Sequence, residues 1–327
     1  MKNIILSLAL VLPLVLSAQY SSHFLQRFTE SGKTGWRFST ATAANYGDIG
    51  SEAVDLSYSN NSSTTRGAKG DYSVAMGYNT TASGYASTAM GGYTKASGYG
   101  STAMGSYPTA SGDYSTAMGS FTTASGLIST AMGSRATASD YASLSIGSYN
   151  SVNSSVTGSA TAFNTANAAF VIGNGTASNA KSDAFVVYFN GNATLAGDLT
   201  INSDERLKDN IQPLGSTLNK LHQIEAKTYS LKKDEEHTPK IGVLAQEVQA
   251  VFPELVTEGA DGILSVNYQG LVPVLINAIN EQDTKIATLE AQNEQLAIAS
   301  QKIEALEEMV RFLAVQQSQA ASSVASN

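Results

Sequence analysis

Small and apolar residues recur through the middle of this chain with a period of 14 residues. The core of the repeat is Ser-(Val/Thr)-Ala-Met-Gly, beginning at Ser73, Ser87, Ser101, Ser115 and Ser129; a sixth copy at Ser143 has Ile146 in place of Met. A second element, Ala-Ser-Gly, follows each core at fixed distance, as in Ala82-Ser83-Gly84 and Ala96-Ser97-Gly98, until Asp140 replaces its glycine. The period is too short for a helical solenoid, whose units need about 30 residues or more. It suits two short strands and two glycine turns per coil. By strand alternation, the Ser, Ala and Gly positions share one face and the Val/Thr and Met positions the other. Alternation leaves open which face turns inward. So thin a coil buries little by itself, so it must stack on its neighbours and on other chains. The pattern therefore predicts a trimeric β-roll of 14-residue repeats, six coils and roughly 30 Å long at ordinary inter-strand spacing.

Beyond the strict repeat, Phe170-Val171-Ile172-Gly173 and Ala184-Phe185-Val186-Val187 predict strands, and Asn190-Gly191 a hairpin turn. Residues 20–50 hold the single Trp, Trp36, and no legible motif. At residue 203 the pattern changes. Ser203, followed by Asp204 and Glu205, suits a helix start, and Pro213 limits that helix to about two turns. An apolar-periodic helix is expected over Thr217–Leu221, a strand over Thr228–Leu231 and a hairpin tip over Lys232–His237. Leu244, Val248 and Val251 share a helical face that Pro253 ends, and Ile263–Tyr268 predicts a strand. From Leu271 a long helix carries an a/d series through Ile286, Leu289, Asn293, Leu296, Ser300 and Ile303, then Leu306, Val310 and Leu313 after a break in register. This is a coiled-coil seam, with Asn293 as its register-fixing polar core position and Ala320–Asn327 as a frayed tail. The fold class is mixed: the β-roll, then a small α+β domain ending in a long coiled-coil helix.

Charge divides the chain at the same point. Residues 1–202 carry nine basic and nine acidic residues, whereas 203–327 carry ten and eighteen and so hold the whole net charge of −8. With no basic patch, nucleic-acid binding is not expected. The chain has no cysteine and three scattered histidines, which argues against disulfides, a metal site or any cofactor. Lys2, the apolar run Ile4–Leu16 and Ser17-Ala18 predict a cleaved signal peptide over 1–18, and no later segment is apolar enough to span a membrane. The expected organisation is signal peptide 1–18, a segment of unknown fold 19–52, the β-roll 53–202 and a C-terminal domain 203–327.

Two resemblances extend this reading. The Ser-Val-Ala-Met-Gly units over about 53–190 resemble the head repeats of YadA-like trimeric adhesins, which implies a left-handed parallel β-roll built from three chains. The sequence departs in using Met for Ile, and lacks the long membrane-anchoring C-terminus of those adhesins. The second resemblance rests on Ser203-Asp204-x-Arg206-x-Lys208, Gly242-Val243-Leu244-Ala245-Gln246-Glu247-Val248, Phe252-Pro253-Glu254-Leu255-Val256 and Val266-Asn267-Tyr268 ahead of the long helix. This series resembles the intramolecular chaperone domain of phage endosialidases and tail fibres, a family of self-cleaving serine peptidases. It implies a domain that trimerises the fibre and then removes itself by a cut between Asn202 and Ser203, with Ser203 and Lys208 as the catalytic dyad. From the residues alone, Ser203 reads first as a helix cap and Lys208 as a surface lysine, and only the resemblance reverses that order. The functions in view are a secreted or cell-surface homotrimeric fibre or adhesin with a self-removing domain, the same trimer with an uncleaved cap, and a phage tail-fibre-like protein. The roll's ligand, a host surface or a glycan, is unassigned. Tyr78, Tyr93, Tyr107 and Phe121 are expected to pack against neighbouring chains rather than on sugars.

Overall fold

The structure, a computed structural model, describes residues 24–232, 234 and 236–325, with side chains described through residue 318. The expected signal segment 1–18 lies outside the described residues. The chain divides into two compact units, Met1–Asn202 and Ser203–Asn327.

In the first unit the repeat cores form strands Val74–Tyr78, Thr88–Gly92, Thr102–Ser106, Thr116–Ser120, Thr130–Ser134 and Leu144–Ser148. They pair in parallel and in register, so that Met76, Met90, Met104, Met118, Met132 and Ile146 form one row. Two-residue strands such as Thr81–Ala82 and Lys95–Ala96 form a second parallel sheet. The result is a parallel β-solenoid. Its interior is the small-residue face: Ala75, Ala89, Ala103, Ala117 and Ala131 from one sheet and Ala82, Ala96, Ala110, Ala124 and Ala138 from the other are fully buried. The two sheets of so short a coil lie too close for larger side chains, so the methionines point outward.

The solenoid is longer than its sequence motif. Val54–Tyr58 precedes the six repeat strands in the same parallel register and Ala168–Asn174 follows them, giving eight coils rather than six. These flanking strands keep the outward apolar rows, Leu56 with Met76 and Ile172 with Ile146, while losing the repeat sequence. On the same measure as the six, eight coils span about 38 Å.

The turns combine glycine with larger residues. Gly77, Gly91, Gly105, Gly119, Gly133 and Gly147 take positive φ at the core strands, as expected of glycine turns; two residues later Asn79, Tyr93, Tyr107, Phe121, Arg135 and Tyr149 occupy the left-handed region, and Tyr72, Ala86, Gly100, Tyr114, Ile128 and Ala142 do so in the other series. That conformation is unfavourable for bulky residues. It is offset by stacking: the Tyr107 N–H donates to Gly92 O and the Phe121 N–H to Ser106 O, each at 2.8 Å. The Ala-Ser-Gly glycines serve close approach instead. A Cβ on Gly98 would lie 2.0 Å from the carbonyl oxygen of Gly112 in the next coil.

Within the segment of unknown fold, Leu25–Glu30 and Lys33–Phe38 form a hairpin, which continues the main sheet through Trp36↔Val54 and Arg37↔Asp55. Asp55 stands in the alanine row, opposite Ala75. Its buried carboxylate accepts from Arg37 Nε at 3.2 Å, while Arg37 Nη1 donates to Glu30 and Nη2 to Gly47 O. This ion pair closes the N-terminal end of the interior. At the other end Asp140, also buried, accepts from the backbone N–H groups of Thr157 and Ala168. Asp183–Tyr188 and Ala193–Leu195 then form the expected hairpin around Asn190-Gly191.

The second unit contains α1 (Leu218–Leu221), α2 (Ala245–Val251), α3 (Leu271–Ala325) and two antiparallel ribbons, Lys227–Tyr229 with Lys240–Gly242 and Val256–Glu258 with Leu264–Val266. Val248, Phe252 and Val274 form its core, with Leu221, Ile224 and Val251 against them. Helix α1 is a single turn, and α3 continues to Ala325 where a frayed tail was expected. Pro273 sits in the first turn of α3, where its missing N–H has no intrahelical acceptor to lose. From Gln282 to Ser318 every side chain of α3 is exposed, including Ile286, Leu289, Asn293, Leu296 and Ile303.

Candidate functional site

Ser203 is not the helix cap; Asp204 is. Asp204 Oδ1 accepts the Arg206 N–H at 2.9 Å and caps the 3-10 turn Glu205–Leu207. The same carboxylate is gripped by the Arg206 guanidinium, Nε to Oδ1 at 2.9 Å and Nη2 to Oδ2 at 2.6 Å. That guanidinium holds the Asp204 carboxyl below the usual aspartate range. The turn closes through Leu207 N–H to Asp204 O and Lys208 N–H to Glu205 O. Lys208 then folds back, its Nζ 2.8 Å from Ser203 Oγ and 2.9 Å from Ser203 O. Residues 203–211 are exposed throughout. The structure therefore brings together the two residues singled out from the sequence, a hydroxyl and an amine at hydrogen-bond distance, on the surface of a single chain.

Comparison with known proteins follows the same division. Residues 203–257 match the family model described as chaperone of endosialidase. Residues 68–150 match the YadA head domain repeat in five overlapping stretches. The two matches agree in place and order with the arrangement read from the sequence. Among curated proteins, the long tail fiber protein Gp37 of Escherichia phage AR1 is 38% identical over 109 residues, covering 31% of this chain and 9% of that protein. Gp37 of Salmonella phage S16 is 32% identical over 115 residues, covering 32% of this chain and 15% of its own length. The chain thus spans a small fraction of the relatives it matches.

The segment before α3 is joined to that helix by a carboxylate that sequence reasoning missed. Glu281 accepts from Thr217 N–H at 2.6 Å, Ser216 Oγ at 2.9 Å and Asn277 Nδ2 at 2.9 Å, fixing the start of α1 on α3. The Thr217 N–H is the main reason its carboxyl lies below the usual glutamate range. Asn277 and Glu281 one helical turn apart were the available signal, but their partners lie about 60 positions earlier.

In the solenoid the aromatic residues are not spread singly over the surface. Tyr93, Tyr107 and Phe121 stack with centroids 4.5 and 4.7 Å apart, Tyr78 meets Tyr93 edge-on, and the Arg135 guanidinium lies 4.3 Å over Phe121. A second ladder runs through Tyr72, Tyr85, Tyr99 and Tyr114. Tyr107 has both ring faces covered by its own chain, so stacking on a sugar is closed to it; the rings pack on each other before any neighbouring chain is considered. Among the described residues, no helix is long and apolar enough to cross a membrane.

Proposed function

We propose that this chain is an exported, homotrimeric, adhesin- or tail-fibre-like surface protein whose C-terminal domain drives trimerisation and folding and then detaches itself. The cut falls between Asn202 and Ser203. The observation that carries this reading is the 2.8 Å contact of Lys208 Nζ with Ser203 Oγ at the first residue of the chaperone-of-endosialidase match. A serine hydroxyl is a weak nucleophile until a base takes its proton. Neutral Lys208 takes the proton from Ser203 Oγ as the oxygen attacks the Asn202 carbonyl carbon. The Asn202–Ser203 C–N bond breaks, and the leaving nitrogen receives the proton from Lys208. Water then hydrolyses the Asn202 ester, freeing both ends.

Lysine is a base only without its proton, and burial favours the neutral amine. Lys208 is exposed in the single chain, so the proposal couples the cut to assembly, which covers it. Two surfaces support assembly. The solenoid turns its Met row and its tyrosine ladders outward, and α3 exposes its apolar seam over residues 282–318. Three thin chains must enter register before such a roll closes, and a trimerising helix lowers the entropy of bringing them together. Removing the helix afterwards leaves the fibre kinetically held.

Expressed without residues 1–18, the chain should give one fragment ending at Asn202 and one beginning at Ser203. Ser203→Ala should abolish the cut; Lys208→Arg should as well, because a guanidinium stays protonated. The exposure of the pair favours a second reading, a permanent uncleaved cap. A full-length wild type after assembly would establish that reading instead.

A further inference from the structure

We infer that the first coil of the solenoid carries a binding site for a neutral pyranose sugar, in a cleft bordered by Thr40, Thr42, Asn45, Tyr58 and Asn60. The site lies wholly within the unit Met1–Asn202, so it stands whether or not the chain is cut.

The cleft has a volume of about 530 Å³, within the range of small-molecule sites and ample for a sugar ring. Its aromatic wall is the first ring of a ladder. Tyr58 stacks on Tyr78 with centroids 6.1 Å apart, and Tyr78 meets Tyr93 in turn. Rings inside the ladder are covered on both sides. Tyr58 has one ring partner among the described residues and is 64% exposed, against 43% for Tyr107. One face of a pyranose presents C–H groups that stack on such a ring, while its hydroxyls need donors and acceptors around the rim. The rim supplies both. Thr42 makes no side-chain bond to the turn that follows it. Asn45 donates Nδ2 to Ser59 O at 2.8 Å, which leaves its Oδ1 to accept. Asn60 Oδ1 accepts from the Tyr78 hydroxyl at 3.0 Å, which leaves its Nδ2 to donate. Among the described residues no Lys, Arg, Asp or Glu borders the cleft, so nothing there pairs with a carboxylate, sulfate or phosphate.

The backbone beside the cleft is already paired, which favours a sugar over a peptide. The strand Val54–Tyr58 meets the preceding hairpin only at Val54 and Asp55, and a bare edge beyond them would accept a peptide as an added strand. Tyr46 closes that edge: its hydroxyl donates to Ser57 O at 3.1 Å and accepts from Ser59 N–H at 3.0 Å. Ser57 N–H donates to Asp55, and Ser59 O is taken by Asn45. Recognition therefore falls to the Tyr58 ring and the side-chain hydroxyls and amides. Tyr46 is itself buried, so this wall is set before a ligand arrives.

The test probes an array of immobilised neutral and acidic glycans with the full chain carrying Ser203→Ala. The chain should be retained by neutral glycans that end in one kind of hexopyranose, and that monosaccharide, added free, should compete. Adding Tyr58→Ala should weaken retention at least about tenfold, through loss of the stacked ring. Thr42→Val keeps the shape and removes a hydroxyl; it should weaken retention without moving the denaturant midpoint, which separates a lost contact from a lost fold. Tyr114→Ala, in the other ladder, should bind as its parent does. Retention by anionic glycans alone, or by none, would overturn the inference. So would a Tyr58→Ala chain that binds like its parent, or a Tyr114→Ala chain that loses binding equally.

Discussion

At the residue scale, the same amino acid does opposite work at positions a few residues apart. A Cβ at Gly98 collides with a backbone oxygen of the next coil, whereas one at Gly92 meets nothing within 4 Å. Gly98→Ala should therefore cost about 1–3 kcal/mol, the range of overpacking in a core that cannot yield, and Gly92→Ala nothing measurable. Paired denaturant melts check this; equal midpoints would contradict the stacking geometry. Glu281 gives a pH-dependent counterpart. Its carboxyl titrates lower in the folded chain than in the unfolded one because Thr217 donates to the ionised form. Its contribution is therefore fully present above the unfolded value of roughly 4.3 and is lost as pH falls through the lower folded value. Thermal melts of Ser203→Ala protein should separate it from the Ser203→Ala, Glu281→Gln double variant at pH 6, and the gap should close toward pH 3. A gap that widened on acidification would refute the assignment.

At the element scale, the tyrosine ladders and α3 carry the energetics that the thin coils lack. Tyr107 stacks on both Tyr93 and Phe121, and stacked pairs contribute about 0.5–1.5 kcal/mol each beyond burial. Tyr107→Ala should lower solenoid stability by about 1–3 kcal/mol and Tyr107→Phe should leave it nearly unchanged, read by denaturant midpoints. In α3, Asn293 lies in the apolar series yet is exposed on the single chain. If helices pair along that seam, a polar residue there trades stability for register. Asn293→Ile in the uncleavable Ser203→Ala chain should raise the helix melting temperature and broaden the distribution of oligomers. An unchanged melt would place Asn293 outside the seam.

At the scale of the whole molecule, both units leave apolar surface that one chain does not cover. The solenoid exposes Met76, Met132 and its tyrosines; α3 exposes Leu289, Leu296, Ile303 and Leu306. Contiguous apolar surface of this extent marks an interaction face, and closed cyclic assembly of identical chains would cover it. Light scattering on the full chain with Ser203→Ala should give three times the monomer mass. A monodisperse monomer would remove the basis for coupling the cut to assembly.

The strand period and the long helix were legible in the sequence, because each is a local repeat: 14 residues per coil and an a/d series along α3; the parallel pairing was implied only by the resemblance to YadA-like heads. Alternation also grouped Ser, Ala and Gly on one face of each strand. Which face turns inward was decided only by the distance between two sheets, which admits alanine and excludes methionine. The two outer coils were hidden because Val54–Tyr58 and Ala168–Asn174 keep the pairing while abandoning the motif. The hairpin over 25–38 escaped for a similar reason: its meaning lies in pairing with Val54 and Asp55 and in the buried Arg37–Asp55 bond, partners far along the chain. Ser203 and Lys208 were named from the hexapeptide and its family resemblance, while the acceptor role of Asp204 depended on a turn geometry that spacing does not specify. Short-range order follows from periodicity, since neighbours in sequence are neighbours in space along a strand or helix. Inside and outside, and the polar plugs at each end of the roll, follow from contacts that only folding creates.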